Sequence, residues 1–233
     1  MKVKNTRNKS RKIILAILLI CWIGLIIYTG FYIYNNFLHP KNINSVENHG
    51  VVASHEVDET EVTDNNKNSY QVPNPSFPRF LSIPNLKISN ARVVQLGLVK
   101  NTNQLDSPIS IYDVGWYMKS SLPGSGKGAL LIDGHNGGPT KGGIFENLGK
   151  LSKGSDIVIE RGDGQKITYE VRDNREMSVN EINDENNPLG MRTMLDSIDP
   201  LKEGLNIITC VGDWDYSKNT FNKRVMLRAA RKA

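Results

Sequence analysis

The sequence contains very little cysteine. Cys21 and Cys210 are the only two cysteines among 233 residues, and Cys21 lies in an apolar run near the N-terminus, far along the chain from Cys210. A disulfide framework is therefore excluded as the source of stability. Cys210 is left as a single thiol, which is either a small buried apolar side chain or a reactive group.

Histidine is also scarce. Only four histidines are present. Three of them fall in a polar segment without the spacing or the cysteine partners of a zinc site: His39, His49 and His55. No acidic cluster suggests a calcium site, and the string from Pro123 to Gly128 lacks both the first glycine and the Ser/Thr of a phosphate-binding loop. The sequence predicts neither a metal site nor a nucleotide site.

The basic charge is concentrated at one end of the chain. The formal net charge is +5, but six of the 29 basic residues lie in the first twelve positions. Without those six, 23 basic side chains face 24 acidic ones. The rest of the chain therefore has no broad basic field, and nucleic acid is not an expected partner.

A long apolar run follows this basic leader. Residues 13–34 form a stretch of 22 residues without a charged side chain. As a helix, with a rise of about 1.5 Å per residue, this stretch would match the roughly 30 Å hydrocarbon core of a bilayer. The sequence predicts a cytoplasmic leader at 1–12 and a single transmembrane anchor at 13–34, with the remainder outside the cell. A cleaved signal peptide is the alternative, but it requires a shorter apolar core and a small-residue cleavage site.

Two segments of different composition follow the predicted anchor. Residues 35–76 are polar, acidic in part and rich in Asn and Ser, which is typical of a flexible extracytoplasmic stalk. From residue 77 to 233, short apolar runs alternate with Gly, Pro, Asn and Asp at roughly ten-residue intervals. This pattern predicts one all-β domain, a barrel or a sandwich, with short helices.

Seven apolar runs are candidate strands: Phe80–Ile83, Ala91–Leu96, Gly128–Asp133, Asp156–Arg161, Lys166–Val171, Asn206–Cys210 and Lys223–Ala229. Asp163-Gly164 between the fourth and fifth of them predicts a hairpin. Short helices are predicted at Gly143–Leu151 and Pro188–Ile198. The long connection from Asn174 to Leu205 is typical of a loop that forms one wall of a binding cleft.

Three side chains could carry nucleophilic chemistry. His135 and Cys210 each close a short apolar strand, so they can meet at one rim of a barrel. A cysteine attacks a carbonyl as the thiolate, which a neighbouring imidazolium or guanidinium stabilises. Arg224 lies on the next predicted strand and could return beside the thiol, where its cation would hold an oxyanion. A lone strand-end His or Cys is more often structural, so spacing alone leaves both readings open.

The motifs around these residues resemble the sortase family in order and spacing over about residues 77–230. The strings that carry the resemblance are Gly115-Trp116-Tyr117, Pro123-Gly124, Ala129 to His135, Gly143 to Gly149, Ile208-Thr209-Cys210 and Arg224-Val225. The Gly-Trp-Tyr segment is most similar to the class E and class F branches. One difference is that Asn206-Ile207 stands where the family usually has Thr-Leu.

The resemblance implies a sortase-type closed β-barrel behind a single N-terminal transmembrane helix. It implies that Cys210 attacks the Thr carbonyl of a C-terminal sorting signal related to Leu-Pro-x-Thr-Gly, that Arg224 stabilises the oxyanion, and that His135 protonates the leaving amine. Thr209 would line the substrate groove. No metal or organic cofactor is implied. The expected partners are surface proteins with a sorting signal and an amine acceptor from peptidoglycan or a pilin.

Two other functions fit part of the pattern. An L,D-transpeptidase also combines Cys, His and Arg, but that family has a Ser-x-Gly-Cys-x-Arg run, and no arginine closely follows Cys210. A membrane-tethered binding or adhesion module would use Cys210 only as a packed residue, and its thiol would be inert.

Overall fold

The computed structural model describes residues 22, 24–26, 28–29, 57–217 and 220–232. The chain divides into two compact units, Met1–Asn42 and Ile43–Ala233. The residues described in the first unit are helical, and the rest of the predicted leader and anchor lies outside the described residues. Among the residues that the structure covers, no helix has both the length and the apolar character needed to span a membrane.

Eight strands of the second unit form a closed barrel in the order β1-β2-β3-β4-β7-β8-β6-β5. They are β1 (Pro78–Ile83), β2 (Ile88–Leu96), β3 (Val114–Tyr117), β4 (Ala129–Gly134), β5 (Asp156–Arg161), β6 (Lys166–Ser178), β7 (Gly204–Asp215) and β8 (Thr220–Arg231). Neighbouring strands are antiparallel except for the parallel pairs β2–β3 and β4–β7. The predicted all-β barrel is confirmed.

The barrel interior is built by residues that alternate along the strands. In β5 and β6, Ile157, Ile159, Ile167 and Tyr169 point inward and are almost fully buried, while the residues between them are more exposed. This period of two is what a strand with one buried face requires. The hairpin that joins β5 and β6 is also confirmed, because the two strands pair with Glu160 opposite Lys166.

A second apolar cluster lies on the outside of the barrel. We call it the outer cluster; its members are Leu96, Leu105, Tyr117, Leu131, Met177, Ile182, Met191, Met194, Ile208 and Met226. Part of it comes from the segment between β6 and β7, which contains helix α2 (Val179–Asn183) and a 3-10 helix (Met191–Leu195). A capping box of Ser178 and Glu181 starts α2. This segment covers the outer face, and its role as a wall of a binding cleft stays a prediction.

Several local predictions were wrong. The two predicted helices are only short 3-10 helices, Leu148–Lys150 and Met191–Leu195, which bury one and two side chains respectively. β6 extends to Ser178, beyond its predicted end, since β8 pairs with it along that length. β3 was not predicted as a strand, because its four residues are buried on both faces and show no alternation.

The end of the predicted stalk contacts the barrel. Helix α1 (Asp64–Ser69) starts at Thr63, whose hydroxyl accepts a hydrogen bond from the N–H of Asn66. Tyr70 then donates its hydroxyl to the Val93 carbonyl on β2 at 2.7 Å. The boundary between stalk and catalytic domain stays a prediction, but residues 57–76 include contacts that hold them on the barrel.

Candidate active site

Cys210 and Arg224 are direct partners in the antiparallel ladder between β7 and β8. Side chains at directly opposed positions project from the same face of a sheet, with Cβ atoms about 4.5–5.5 Å apart. Ile208 and Met226, two residues away on each strand, belong to the outer cluster. Because side chains alternate along a strand, Cys210 and Arg224 also project toward the outer face.

Arg224 is held rigidly by backbone groups of its own strand. Its side chain is almost fully buried. Nη1 donates to the carbonyls of Phe221 and Lys223, both at 2.8 Å, and Nη2 donates to the Thr220 hydroxyl at 3.0 Å. The buried Nε has no hydrogen-bond partner. The guanidinium is therefore held in a fixed position, with its Nε donor unpaired.

His135 follows β4 at the same end of the sheet as Cys210. β4 and β7 are parallel, with Asp133 opposite Ile208. The Thr209 hydroxyl donates to the Gly134 carbonyl at 2.7 Å, which continues this register by one residue. One more residue on each strand leads to His135 and Cys210, so adjacent parallel strands bring the two side chains to one rim.

The imidazole of His135 is oriented by the β2–β3 loop. Nε2 lies 2.6 Å from the Pro108 carbonyl oxygen, and because that oxygen can only accept, the contact assigns the ring proton to Nε2. Burial lowers the pKa of His135, and the hydrogen bond to Pro108 opposes this shift. The resting imidazole is therefore neutral at pH 7, with Nδ1 left to take up a proton.

The backbone after His135 turns sharply and returns to the barrel. The Gly143 N–H donates to the Asn136 carbonyl at 2.7 Å, and the Phe145 N–H donates to the His135 carbonyl at 3.0 Å. A Cβ atom at residue 143 would collide with the His135 carbonyl, so this return requires glycine. Phe145 is buried in the barrel core, which ties the histidine backbone to the core.

A residue from the N-terminal segment also holds this loop. The Glu59 carboxylate accepts hydrogen bonds from the N–H groups of Thr140 at 2.8 Å and Lys141 at 3.3 Å, and from the Thr140 hydroxyl. These hydrogen bonds from Thr140 lower the pKa of Glu59. Asp58 beside it donates its N–H to the Ile109 carbonyl at 2.9 Å. Residues 58–59 thus join the two loops that flank His135.

The Cys210 side chain is a free, half-buried thiol. Burial raises its pKa to about 11, while the charge of Arg224 opposes the shift and the charge of Asp133 adds to it. The thiol is therefore protonated in the resting protein at pH 7. It needs a base and a positive neighbour at the moment of attack.

Thr209 has a different environment from Cys210. Its side chain is buried, and its hydroxyl is used to join β7 to β4 through Gly134. The prediction that Thr209 lines a substrate groove stays a prediction.

The structural roles of two polar residues of the site, Asn206 and Asp133, were not predicted from the sequence. Asn206 is fully buried and donates Nδ2 to the carbonyls of Met194 at 2.9 Å and Asp196 at 3.0 Å, which anchors the β6–β7 segment on the outer face. Asp133 is buried beside Arg224 and Cys210. The signal for both was present, since each is a polar residue in an otherwise apolar strand.

A small cavity of about 220 Å³ lies beside the β7–β8 hairpin. Its lining residues include Ser178, Asn180, Asp215, Phe221 and Lys223. Its volume is below the roughly 300–1,000 Å³ of sites for drug-sized ligands, so it can hold a single side chain. No cluster of three or more metal-ligating side chains occurs among the described residues.

Comparison with known proteins identifies a family for this chain. The model of the sortase domain matches residues 81–232. No curated protein sequence matches the chain. Similar solved structures include a lid mutant of sortase A from Corynebacterium diphtheriae, with 24% identity over 70% of this chain and 73% of that chain and a TM-score of 0.47.

Two further solved structures are similar at lower identity. Sortase C-1 from Actinomyces oris is 20% identical over 69% of this chain and 76% of that chain, with a TM-score of 0.46. Sortase C from Clostridium perfringens SM101 is 18% identical over 75% of this chain and 78% of that chain, with a TM-score of 0.44. Because the family model covers more than half of the sequence, the chain belongs to the sortase family of cysteine transpeptidases.

Proposed function

We propose that this sortase cleaves a C-terminal sorting signal related to Leu-Pro-x-Thr-Gly between Thr and Gly, and transfers the protein to an amine acceptor. The observation that carries the proposal is the register of β7 and β8, which sets Cys210 directly opposite Arg224. The parallel pairing of β4 with β7 supports the addition of His135 to the same rim.

The first half of the reaction forms a thioester. Burial raises the pKa of Cys210 and lowers that of His135, so both groups rest in their neutral forms. The thiol proton therefore moves to Nδ1 of His135 only as Sγ attacks the Thr carbonyl carbon. Arg224 stabilises the negative oxygen of the tetrahedral intermediate. When the intermediate collapses, the C–N bond breaks and His135 gives its proton to the leaving glycine amine.

The second half transfers the acyl group. The acceptor amine attacks the thioester carbonyl and gives up a proton to His135. The C–S bond then breaks, the sulfur receives that proton, and a new amide bond remains on the product. Water that attacks in place of the amine gives hydrolysis.

The same proposal includes a cellular setting. The basic leader and the apolar run at 13–34 support a single-pass anchor with the N-terminus in the cytoplasm and the catalytic domain outside. The Gly115-Trp116-Tyr117 motif favours assignment to the class E and class F sortases. The acceptor would be peptidoglycan or a pilin.

The test uses the full chain in detergent, a library of peptides related to Leu-Pro-x-Thr-Gly, and a small primary amine. Mass spectrometry is expected to detect cleavage after Thr, a thioester adduct on Cys210 and the amide with the added amine. Cys210→Ala is the matched control and is expected to give none of these, while Cys21→Ala is expected to retain all three.

The alternative function makes the opposite prediction. A binding module with a structural cysteine would give no adduct and no product, and Cys210→Ala would change only the stability. The raised pKa of Cys210 is the observation that favours this alternative. Absence of the adduct in a folded protein would therefore reject the transpeptidase.

A further inference from the structure

Asp133 is a buried carboxyl on the outer face of β4. Its exposed fraction is 6%. Leu130 and Ile132 point into the barrel core and Leu131 belongs to the outer cluster, so the alternation of the strand directs Asp133 to the outer face.

The surroundings of this carboxyl are largely apolar. The Cα partners of Asp133 are Gly115 on β3 and Ile208 on β7. The Leu96 side chain occupies the space that a Cβ atom at residue 115 would need, so it lies directly over Gly115. Leu96 and Ile208 therefore bring apolar surface beside Asp133, where a carboxylate is costly to ionise.

Asp133 shares this face with the nucleophile and the cation of the proposed reaction. Cys210 lies two residues beyond Ile208, on the same side of β7, and Arg224 lies opposite Cys210 on β8. One buried cation thus faces two acids, a thiol and a carboxyl. If both acids ionise, they compete for a single positive charge.

The charges that act on Asp133 come from two elements. Arg224 on β8 and the backbone N–H of Gly134 favour the carboxylate, whereas Asp106 on the β2–β3 loop disfavours it. Burial is the largest effect and raises the pKa of Asp133 to about 8. Tyr117 on β3 has a buried hydroxyl without a partner, and burial raises its pKa too, so it stays neutral.

We propose that Asp133 is a positioning residue that controls the charge available to Cys210. When Asp133 is protonated, Arg224 is free to stabilise the thiolate and the oxyanion. When Asp133 is ionised, it neutralises Arg224 and repels the thiolate and the oxyanion. In this arrangement, the loss of the Asp133 proton sets an alkaline limit on transfer. The inference rests on the proposed function, because it takes Cys210 as the nucleophile.

The first test measures Cys210 alone and needs no sorting signal. Alkylation of the full chain in detergent by iodoacetamide is followed from pH 6 to 10 in a Cys21→Ala background, which leaves Cys210 as the sole thiol. Asp133→Asn keeps the shape of the side chain and stays neutral at every pH. Its alkylation rate is expected to equal that of the parent near pH 6 and to exceed it about tenfold near pH 9.5.

Asp213→Asn is the matched control. Asp213 lies three residues after Cys210 on β7 and is exposed to solvent, so its charge is screened and its removal is expected to leave the profile unchanged. A purely structural role for Asp133 would shift the rate of Asp133→Asn by a constant factor at every pH. Parallel profiles would therefore overturn the proposal.

A second measurement needs no variant at the carboxyl. The ¹³C shift of the Asp133 carboxyl is followed during a pH titration of the wild-type chain, and it is expected to move near pH 8 and to stay that of the acid at pH 6. A carboxyl that is already ionised at pH 5 would overturn the proposal even if Asp133→Asn does not fold.

Transfer activity then separates this inference from the proposed function. If the chain is a transpeptidase, kcat/KM of Asp133→Asn is expected to stay high above pH 8, where that of the wild type falls. If transfer is absent in both while the alkylation profiles diverge as expected, the proposed reaction fails and the control of the thiol by Asp133 remains.

Discussion

Two buried carboxyl groups lie at opposite ends of the same pair of strands. Glu203 directly precedes Gly204, which pairs with Ala129 at the start of β4, whereas Asp133 lies at the other end of β4. Both are almost inaccessible to solvent. Their partners differ greatly, and the difference distinguishes the end of the barrel where a buried carboxylate is fully hydrogen-bonded from the end that holds the candidate active site.

Glu203 has a full set of partners. Its carboxylate accepts hydrogen bonds from the N–H groups of Gly124 at 2.9 Å and Gly126 at 2.8 Å, and from the Tyr169 hydroxyl. Arg231 on β8 lies 3.7 Å away. Burial and the neighbouring Glu203 charge raise the pKa of Tyr169, so the phenol remains a donor. Such a satisfied network stabilises the fold.

Asp133 has far fewer partners for its charge. Only the Gly134 N–H and the charge of Arg224 favour its ionised form, and they do not overcome its burial. Each carboxyl therefore faces an arginine of β8, Arg231 at one end and Arg224 at the other, but only Glu203 also accepts hydrogen bonds from several neighbouring groups. The active-site end keeps a group that costs stability when it ionises.

The largest expected effect is a difference in transfer activity between variants of Arg224 and Arg231. Arg224→Lys keeps the charge but loses the planar fork that binds Phe221, Lys223 and Thr220. We expect kcat/KM for transfer to fall about 10²–10³-fold. Arg231→Lys is the matched control at the other end of β8, and it is expected to leave kcat/KM unchanged. Equal losses in the two variants would contradict the division between the ends.

The next effect concerns stability. Glu203→Gln replaces an acceptor oxygen by an NH₂ group that cannot accept from the glycine N–H groups, and we expect a loss of about 2–3 kcal/mol in the free energy of unfolding. Urea denaturation measures it. Glu160→Gln is the control, because Glu160 forms an ion pair with the exposed Lys166 at 3.5 Å and is expected to contribute less than about 1 kcal/mol. Similar losses of stability in the two variants would contradict a larger contribution from the Glu203 hydrogen bonds than from an exposed ion pair.

A smaller effect is the pH dependence of stability. Because the folded protein raises the pKa of Asp133 from 3.8 to about 8, the unfolded chain releases this proton first as the pH rises. The free energy of unfolding therefore falls between about pH 4 and pH 8, by up to about 1.4 kcal/mol per pH unit from this group. Asp133→Asn removes that decline.

Thermal or urea unfolding of the wild type and Asp133→Asn at pH 5 and pH 7.5 checks the sign. The free energy of unfolding of the variant is expected to increase relative to that of the wild type as the pH rises. A difference between the two proteins that does not change with pH would mean that Asp133 is already ionised in the folded state at these pH values.

The sequence was sufficient for most of the barrel. Strands such as β5 and β6 have one buried face, so their alternation marks them, and the turn at Asp163-Gly164 marks the hairpin. β3 could not be recognised by alternation, because both of its faces are buried. The end of β6 depends on pairing with β8, which is distant in sequence and leaves no local signal.

The candidate site was predictable in its parts and not in its electrostatics. Cys210, His135 and Arg224 stand out by residue type and spacing. The significance of Asp133 depends on a face shared with Arg224 and Cys210. That of Glu59, which lies 76 residues before His135 in sequence, depends on its hydrogen bonds to Thr140 and Lys141. Such relations arise from strand register and loop return, which a single sequence does not specify.

The smallest expected effect tests the loop that carries His135. Glu59→Gln weakens the hydrogen bonds to Thr140 and Lys141, so hydrogen exchange at the Thr140 amide is expected to accelerate and kcat/KM to fall by less than about tenfold. These hydrogen bonds lower the pKa of Glu59. Their contribution to stability is therefore fully present above the ordinary pKa of a glutamate, and it is lost as the pH falls through the lowered pKa of Glu59.

Glu61→Gln is the control for this loop, since Glu61 reaches Lys141 only through an exposed ion pair of 4.0 Å. We expect it to alter neither hydrogen exchange nor transfer. If Glu59→Gln behaves like Glu61→Gln, the core contact of Phe145 and the Pro108 carbonyl suffice to hold His135. The histidine would then be fixed as firmly as Cys210 and Arg224, whose positions are set by the β7–β8 ladder.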